Sequence, residues 1–358
     1  MSDQPDFRQE FTNRVIAAIE SGETLPWERT WAAGGSPRNA VSDKEYNGAN
    51  RLMLGMSMID AGRSDPRFVT FKQALDLGGS IRKGEKGAQI ERYEVRPFYT
   101  RKDVEITRAG SPVKIESDAA GSVRLEDGAT VSKSELVIHH DGKPLNWNEA
   151  RALDAAYSKV FTVFNVEQCD NLTKLPPLPQ QAAVPTDERF DSIKAAMLRD
   201  GLKIEHVAAG QAFYRPSTDT VTLPPAGSFH TTGDYQSVAL HEIGHATGAV
   251  QRLNRDGITG QHSFGSAGYA KEELRAELFS AFMAMETGIN RARDEQHTAY
   301  LKSWSEALKD SKHEIFKAAA DASRAVDYVR GKERELALGK TSEVKQEKPL
   351  KKAAGLAL

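Results

Sequence analysis

The chain has 358 residues, a length that suggests two domains of ordinary size. Its single cysteine, Cys169, excludes an internal disulfide bond and every zinc or iron–sulfur site that needs several thiolates. Lys and Arg number 48 and Asp and Glu 50, and the formal net charge of −2 argues against coating nucleic acid by bulk charge. No stretch approaches the ~20 apolar residues of a membrane helix, and the N-terminus lacks a signal peptide pattern. We therefore expect no membrane partner and a reducing, cytoplasmic location.

The first half of the chain mixes short helices with short strands. Apolar residues recur at helical spacing over 7–19, and segments 51–60 and 70–77 also have helical patterns. Residues 81–99 alternate basic and apolar side chains around the turn RKGEKG, which predicts a hairpin. Residues 104–140 combine β-like alternation with Gly/Asp turns and predict an insertion of small strands.

The second half follows a proline-rich stretch and is mostly helical. Two short strands are predicted within 212–223. Helices are predicted at 187–201, 235–247, 271–286 and 297–330.

These patterns give an α+β protein of two domains. We expect an N-terminal α+β domain over 1–170, with the β-rich insertion at about 104–140, and a C-terminal domain over 187–330. Prolines mark 171–186 as the linker. The Lys-rich, aperiodic residues 331–358 predict a disordered tail.

The strongest chemical motif is His241-Glu242-Ile243-Gly244-His245 within a predicted helix. Residues four apart lie on one helix face, so the two imidazoles can hold one Zn²⁺. Zinc lowers the pKa of a water to about 7, and Glu242 is placed to take a proton from that water as general base. Mn²⁺, Co²⁺ or Ni²⁺ suit the same donor atoms. The motif therefore predicts a metal-dependent hydrolase.

A catalytic zinc needs a third protein ligand. One class of zincins carries a histidine where this chain has Gln251, and an amide is a poor zinc ligand, so we expect a glutamate from the next helix. We predict Glu273 as the third ligand, with Glu277 one turn later as the acceptor that orients a histidine. If Glu273 belongs only to a solvated acidic helix start, Glu277 becomes the alternative ligand.

Weaker candidates flank this site. His262 and Tyr269 lie in a glycine-rich loop and are candidates for polarising a substrate carbonyl. Residues 220–223 are a candidate edge strand for pairing with an extended polypeptide substrate.

Aromatic and basic side chains are interleaved in the first domain. Single strands are bound by basic grooves whose aromatic rings stack on the bases. A small domain with tryptophans in its core and lysines outside has the same mixture, so both interpretations stay open. The candidate nucleic-acid residues are Trp27, Trp31, Tyr46, Asn50, Arg51, Phe71, Lys72, Arg82, Lys83 and Lys86.

Several ordered blocks resemble one protein family. LPWERTW, PRNAVSDKEYNGANRLML, FVTFKQALDLGG, IRKGEKG and VFNVEQ are similar to the N-terminal domain of the ArdC-type antirestriction proteins of plasmids, a domain that also occurs in TraC-type primases. AFYRPSTDTVTLPP, HEIGHATG and YAKEELRAELFSAF resemble the zincin-like metallopeptidase domain of the same proteins. The blocks span most of residues 7–330.

The resemblance implies non-specific binding of single-stranded DNA by the first domain and protection of incoming plasmid DNA from host restriction, for example during conjugation. It implies His241, His245 and a downstream glutamate as metal ligands and Glu242 as the catalytic position. The insertion and the charged tail depart from the family pattern. Two functions follow: a zinc metallopeptidase joined to a DNA-binding module, or a non-enzymatic protection protein whose metal site is structural or dispensable.

Overall fold

The computed structural model describes residues 6–22, 25, 27, 35–119, 121–178, 186–208, 210–260, 262–263, 265–289 and 297–346. These residues fall into two compact units. The larger unit lies within 1–88 and 162–358, and the smaller within 89–161.

The α-helices in chain order are α1 (Phe7–Glu20), α2 (Gly48–Asp60), α3 (Phe71–Asp76), α4 (Trp147–Arg151), α5 (Thr186–Arg199), α6 (Thr232–Ala246), α7 (Asp256–Thr259), α8 (Ala267–Thr287), α9 (His297–Asp310) and α10 (Glu314–Gln346). The strands are β1 (Arg38–Asn39), β2 (Arg67–Val69), β3 (Ser80–Ile81), β4 (Ala88–Arg96), β5 (Val104–Arg108), β6 (Ser111–Pro112), β7 (Ile115–Asp118), β8 (Ser122–Leu125), β9 (Thr130–Ser132), β10 (Leu136–His140), β11 (Lys143–Leu145), β12 (Ala155–Asn165), β13 (Cys169–Asp170), β14 (Lys203–His206), β15 (Phe213–Arg215) and β16 (Thr220–Leu223).

The strands form five small sheets. Their orders are β1-β2-β12-β4, β11-β10-β5-β6, β7-β8-β9, β14-β16-β15 and β13-β3. In the three-stranded sheet β14-β16-β15, β16 pairs in parallel with β14 and antiparallel with β15, so β16 is the central strand. The prediction that residues 220–223 form an edge strand is therefore wrong, and β15 lies at the edge instead.

One apolar core joins the N-terminal helices to those of the second half. Phe11, Val15 and Ile19 form the buried face of α1, and Phe11 meets Phe316 of α10 edge to face at 5.7 Å between ring centroids. Residues of α2, α5, α6, α8 and α9 belong to the same core. The division into compact units therefore differs from the predicted boundary at 171–186, because the apolar faces of α1 and α2 are covered by helices from beyond that stretch.

The smaller unit has a core of its own. Its centre includes Phe98, Ile106, Val123 and Ile138. Strands β5 to β10 lie where the sequence predicted small strands, and the compact unit around them extends further, over 89–161. Strands β4 and β12 both continue from the larger unit into the smaller one.

Two local predictions need correction. The expected hairpin over 81–99 does not form, because β3 pairs with β13 and β4 lies beside β12. Glycine permits these close approaches: a Cβ at Gly79 would lie 2.3 Å from the Asp170 carbonyl oxygen, and one at Gly87 2.4 Å from Thr162 Cγ2.

The expected disordered tail is helical through Gln346, and residues 347–358 lie outside the described part. Lys, Glu, Ala and Leu favour helix in this segment. The buried carboxylate of Glu333 in this segment also forms an ion pair with Arg189, with 2.6 Å between Arg189 Nη1 and Glu333 Oε1. In the described part of the chain, no helix has both the length and the apolar character needed to cross a bilayer.

Candidate metal centre

Helices α6 and α8 carry the predicted metal ligands and pack directly on each other. Helix α6 begins with a capping box, in which the Thr231 side chain accepts from the Asp234 N–H and the Asp234 carboxylate accepts from the Thr231 N–H. A Cβ at Gly244 would lie 2.8 Å from Phe279 Cδ1 of α8. The glycine inside the His-Glu-x-x-His motif thus lets α6 approach α8 closely enough for its histidines to reach the carboxylates of α8.

His241, His245 and Glu273 converge. One donor atom from each lies within 4.8 Å of the other two. The two Nε2 atoms are 3.1 Å apart, His241 Nε2 is 3.3 Å from Glu273 Oε2, and His245 Nε2 is 3.5 Å from Glu273 Oε1. Bonds of about 2.0–2.2 Å at tetrahedral angles would separate neighbouring donor atoms by roughly 3.3–3.6 Å. These three residues fit a divalent metal ion.

The surroundings of the histidines are strongly negative. Burial opposes the charged form of His245, but Glu273 and Glu272 outweigh it and raise the pKa of His245 to about 9. Burial also opposes the ionisation of Glu273, yet the two histidines hold its pKa well below 4.5. Buried carboxylates beside two imidazoles make a site whose charge is balanced by a cation.

Glu242 is 7% exposed and points into the same region. Burial raises its pKa, and its carboxyl interacts electrostatically with His241, His245 and Glu273. The backbone of Tyr214 in the edge strand β15 acts in the opposite direction and lowers the pKa of this carboxyl. A carboxylate with a raised pKa at this position is suited to accepting a proton near neutral pH.

His245 lies beside a pair of residues to which sequence reasoning gave no role. Its Nδ1 lies 3.5 Å from Glu272 Oε1, and Arg255 Nε donates to Glu272 Oε2 at 3.1 Å. Arg255 also donates to the Thr247 hydroxyl at 2.7 Å and to the Gly244 carbonyl at 2.8 Å. In the sequence, Glu272 is only one more acidic residue next to Glu273. Arg255, the cation that pairs with it, lies 17 residues earlier in the chain, and the fold brings the two side chains together.

Glu277 lies on the other side, beside His241. Its side chain is fully buried, and its Oε2 is 3.7 Å from His241 Nδ1. Glu273 therefore supplies the oxygen nearest the two Nε2 atoms, and the role of Glu277 in orienting a histidine stays a prediction.

The loop candidates lie apart from the three converging residues. His262 Nε2 is 2.9 Å from Asp256 Oδ2, and His262 lines a cavity of about 430 Å³ together with Arg255, Glu272 and Lys271. Tyr269 is half-buried in the first turn of α8. Their contact with a substrate carbonyl stays a prediction.

Two of the candidate DNA residues are in the core. Trp27 and Arg51 are both 0% exposed, and Arg51 forms ion pairs with Glu45 at 3.2 Å and Glu286 at 3.3 Å. This corrects the sequence-based assignment, because a fully buried ring or guanidinium has no face to offer a nucleotide. Trp31 lies outside the described residues.

The other candidates reach the surface to different extents. Tyr46 is half-buried with its ring edge-on to Phe68, and Asn50 is also half-buried. Arg82 pairs with Glu85 at 3.0 Å and remains exposed. Phe71, Lys72, Lys83 and Lys86 are also exposed. Their contact with DNA stays a prediction.

Comparisons with known proteins agree with this arrangement. Residues 5–134 match the family model described as the N-terminal domain of anti-restriction factor ArdC, and residues 191–321 match a zincin-like metallopeptidase model. The protein y4eC of Sinorhizobium fredii is 32% identical over 90% of this chain and 91% of its own length. The metal-free crystal structure of the antirestriction ArdC protein from the R388 plasmid superposes with a TM-score of 0.66 at 28% identity, covering 92% of this chain and 98% of that one. The chain belongs to the family of ArdC-type antirestriction proteins.

The family also includes much longer relatives. Two Escherichia coli proteins named DNA primase TraC are 36% and 37% identical over 92% and 90% of this chain. The chain spans only 20% and 27% of their length. The Mn(II)-bound crystal structure of the R388 ArdC protein matches with a TM-score of 0.64 at 28% identity, over 92% of this chain and 98% of that one. The predicted family and the α+β fold class are confirmed, and a divalent metal ion suits the site.

Proposed function

We propose that this protein binds single-stranded DNA and protects incoming plasmid DNA from host restriction during conjugation, and that it carries a zinc-dependent metallopeptidase-type site. The observation that carries the enzymatic part is the convergence of His241, His245 and Glu273 beside the buried carboxyl of Glu242. The family assignment supports the antirestriction part. We place this role in the cytoplasm, where entering DNA meets restriction enzymes.

Each residue of the site has a distinct task in this proposal. Zinc, when bound, supplies a Lewis acid, and manganese, cobalt or nickel suit the same ligands. Glu242 accepts a proton from the attacking water and later donates it to the leaving amine. Glu272, fixed by Arg255, holds the ring of His245, and Glu277 lies beside the ring of His241.

The substrate in this proposal is an extended polypeptide. Strand β15 is at the edge of the sheet β14-β16-β15, and its backbone at Tyr214 is near enough to Glu242 to lower the pKa of that carboxyl. A peptide added to that edge would run past the general base. This supports a polypeptide substrate without defining its sequence.

The test compares the wild-type protein with Glu242→Gln. Both are loaded separately with Zn²⁺, Mn²⁺, Co²⁺ and Ni²⁺, and hydrolysis of an unfolded protein is followed by mass spectrometry. We expect metal content and melting temperature to stay unchanged in the variant while hydrolysis is lost. Absence of hydrolysis by the wild-type protein with every metal would contradict the enzymatic proposal.

A second function is favoured by how closed the site is. The side chains of His241, His245 and Glu273 are only 13%, 10% and 5% exposed. Ligands this buried restrict the access of a polypeptide to the metal, whereas a catalytic metal keeps a coordination position that water or substrate can reach. In this alternative the protein shields single-stranded DNA without proteolysis, and the metal stabilises the fold.

A restriction-protection assay separates the two. If Glu242→Gln protects entering DNA as well as the wild-type protein does, protection is a binding function. If protection is lost while DNA affinity is kept, hydrolysis carries it.

A further inference from the structure

Part of the smaller unit is a two-stranded ribbon with both faces in solvent. Strands β4 and β12 are neighbours in their sheet, whereas β2 pairs with β12 only at Phe164 and Asn165. Ile90 and Glu91 are still buried, but the segments beyond them open to solvent. We call residues 92–96 and 157–161 the ribbon; its exposed members are Arg92, Tyr93, Val95, Arg96, Tyr157, Ser158, Lys159 and Val160.

One face of the ribbon interleaves cations with aromatic rings. The Tyr157 hydroxyl donates to Glu94 at 2.5 Å, and the Arg96 guanidinium lies 5.4 Å from the centre of the Tyr157 ring. The Lys159 ammonium lies 5.3 Å from the centre of the Phe161 ring. These contacts hold rings and cations in a fixed alternation across the two strands.

This face of the ribbon carries an excess of positive charge. Glu94 already accepts from Tyr157 and lies 3.8 Å from Arg92. In the described part of the chain, Arg96 and Lys159 have no carboxylate within ion-pair distance. Three cations against one carboxylate favour a polyanionic partner.

The opposite face is apolar and more exposed than a sheet surface usually is. Tyr93 and Val95 are 62% and 61% exposed, and Val160 is 40% exposed. The apolar face and the cationic face meet at the free edge of β4, the terminal strand of its sheet. Together they suit nucleobases, which stack on rings while their phosphates contact basic side chains. The exposed part of β4, from Arg92 to Arg96, spans about 13 Å at the rise of a strand, enough for a few nucleotides.

We propose that the ribbon is a contact surface for single-stranded DNA that passes over the free edge of β4, the terminal strand of its sheet. Bases stack on Tyr157 on the cationic face and on Tyr93 on the opposite face, and phosphates are bound by Arg92, Arg96 and Lys159. This rests on the proposed DNA-binding function and assigns it to residues outside the set expected from the sequence. The bases of a duplex are stacked inside it and cannot stack on these tyrosines. The ribbon therefore distinguishes single strands from double strands.

The first experiment removes the charges from the full-length protein. Binding of a fluorescent oligothymidine is measured by anisotropy over a range of salt concentrations. Loss of three phosphate contacts from a single strand should reduce the slope of log affinity against log salt by about 2 in Arg92→Ala/Arg96→Ala/Lys159→Ala. The matched control is Lys102→Ala/Lys114→Ala/Lys143→Ala, which removes three exposed lysines of the same unit outside the ribbon. We expect the control to keep the wild-type slope.

The second experiment removes the rings. Tyr93→Ala/Tyr157→Ala should weaken binding at least about fivefold for each base that loses its stacking partner. Tyr93→Phe/Tyr157→Phe keeps the rings and should keep the affinity, which a role limited to the Tyr157–Glu94 hydrogen bond would not allow. Thermal melting of each variant verifies the fold.

The outcomes separate this inference from the proposed function. If the wild-type protein does not bind oligothymidine, the DNA-binding function itself fails. If the wild-type protein binds and the ribbon variants bind equally well, or the control triple loses as much as the ribbon triple, the ribbon is not the contact surface. Equal affinity of the wild-type protein for duplex and single strand would also overturn the stacking role of the tyrosines.

Discussion

Arg255 offers the sharpest test of how the metal centre is built. Its guanidinium bonds at once to Glu272, the Thr247 hydroxyl and the Gly244 carbonyl, and so fixes the carboxylate that faces His245. Lysine at this position keeps the charge but cannot make the same fork of hydrogen bonds. Loss of such an outer partner typically weakens metal affinity 10–100-fold, or about 1.4–2.8 kcal/mol. We expect Arg255→Lys to fall in that range.

The assay is a competitive titration of Zn²⁺ or Mn²⁺ against a chromophoric chelator, combined with thermal melting. Arg252 provides a matched control, since its side chain is also buried and pairs with Asp219 at 2.7 Å and Asp200 at 2.9 Å, in contacts that do not include the metal ligands. Arg252→Lys should lower the melting temperature and leave metal affinity within about twofold of wild type. Unchanged affinity in Arg255→Lys, or an equal loss in both variants, would refute the role assigned to Arg255.

Three further changes test the packing and the charges. Gly244→Ala should destabilise the protein by about 1–3 kcal/mol in urea unfolding, because the new methyl group meets Phe279 at 2.8 Å; unaltered stability would show that α6 and α8 can separate freely. Trp27→Ala should lower the free energy of unfolding by about 3–5 kcal/mol in the same measurement, because the ring is fully buried. The folded variant should keep its affinity for oligothymidine. A loss of affinity without a loss of fold would indicate that Trp27 contacts DNA. Asp219→Asn should cost about 1–3 kcal/mol near neutral pH, because Asp219 is hydrogen-bonded to Arg252, and its left-handed backbone, with φ of 49°, also accommodates asparagine. Burial opposes ionisation of Asp219 but Arg252 lowers its pKa below 3.8, so the stabilising effect is present above pH 3.8 and is lost as pH falls through the folded value; urea unfolding should show wild type and variant converging in acid.

The convergence of His241, His245 and Glu273 could be predicted in part from sequence, because helical spacing places the two histidines on one face. His241 and His245 share a face of any helix, and Glu273 follows on the next long helix, whose start at Ser266 and end at Gly288 are marked by a cap and a left-handed glycine. The role of Arg255 could not be predicted, because the path of the loop between α6 and α8 is what brings Arg255 to Glu272. No periodicity in the sequence encodes that contact.

Long-range pairing limited the rest of the prediction. Pattern along the chain identified β4 as a strand, but its partner β12 lies about sixty residues later, after strands β5 to β11. The same limit applies to Trp27 and Arg51. The sequence pattern around an aromatic or a basic residue is the same whether its side chain faces solvent or the core. Here Trp27 belongs to the shared apolar core, and Arg51 pairs with Glu45 and with Glu286, which comes from the second half of the chain.

The shared core has a consequence for how the chain can be divided. A fragment that begins at residue 171 lacks α1 and α2, and so uncovers the surfaces of α9 and α10 that bury Phe11, Val15 and Ile19. Replacing residues 89–161 by a short glycine-rich linker removes a unit with its own core and leaves that shared core complete. We therefore expect the fragment to lose cooperative thermal unfolding and metal binding, and the excised protein to retain both. If the fragment from residue 171 unfolds cooperatively and binds metal as tightly as the full chain, the N-terminal helices are dispensable to the metallopeptidase-like fold and the boundary predicted from the prolines is the true one.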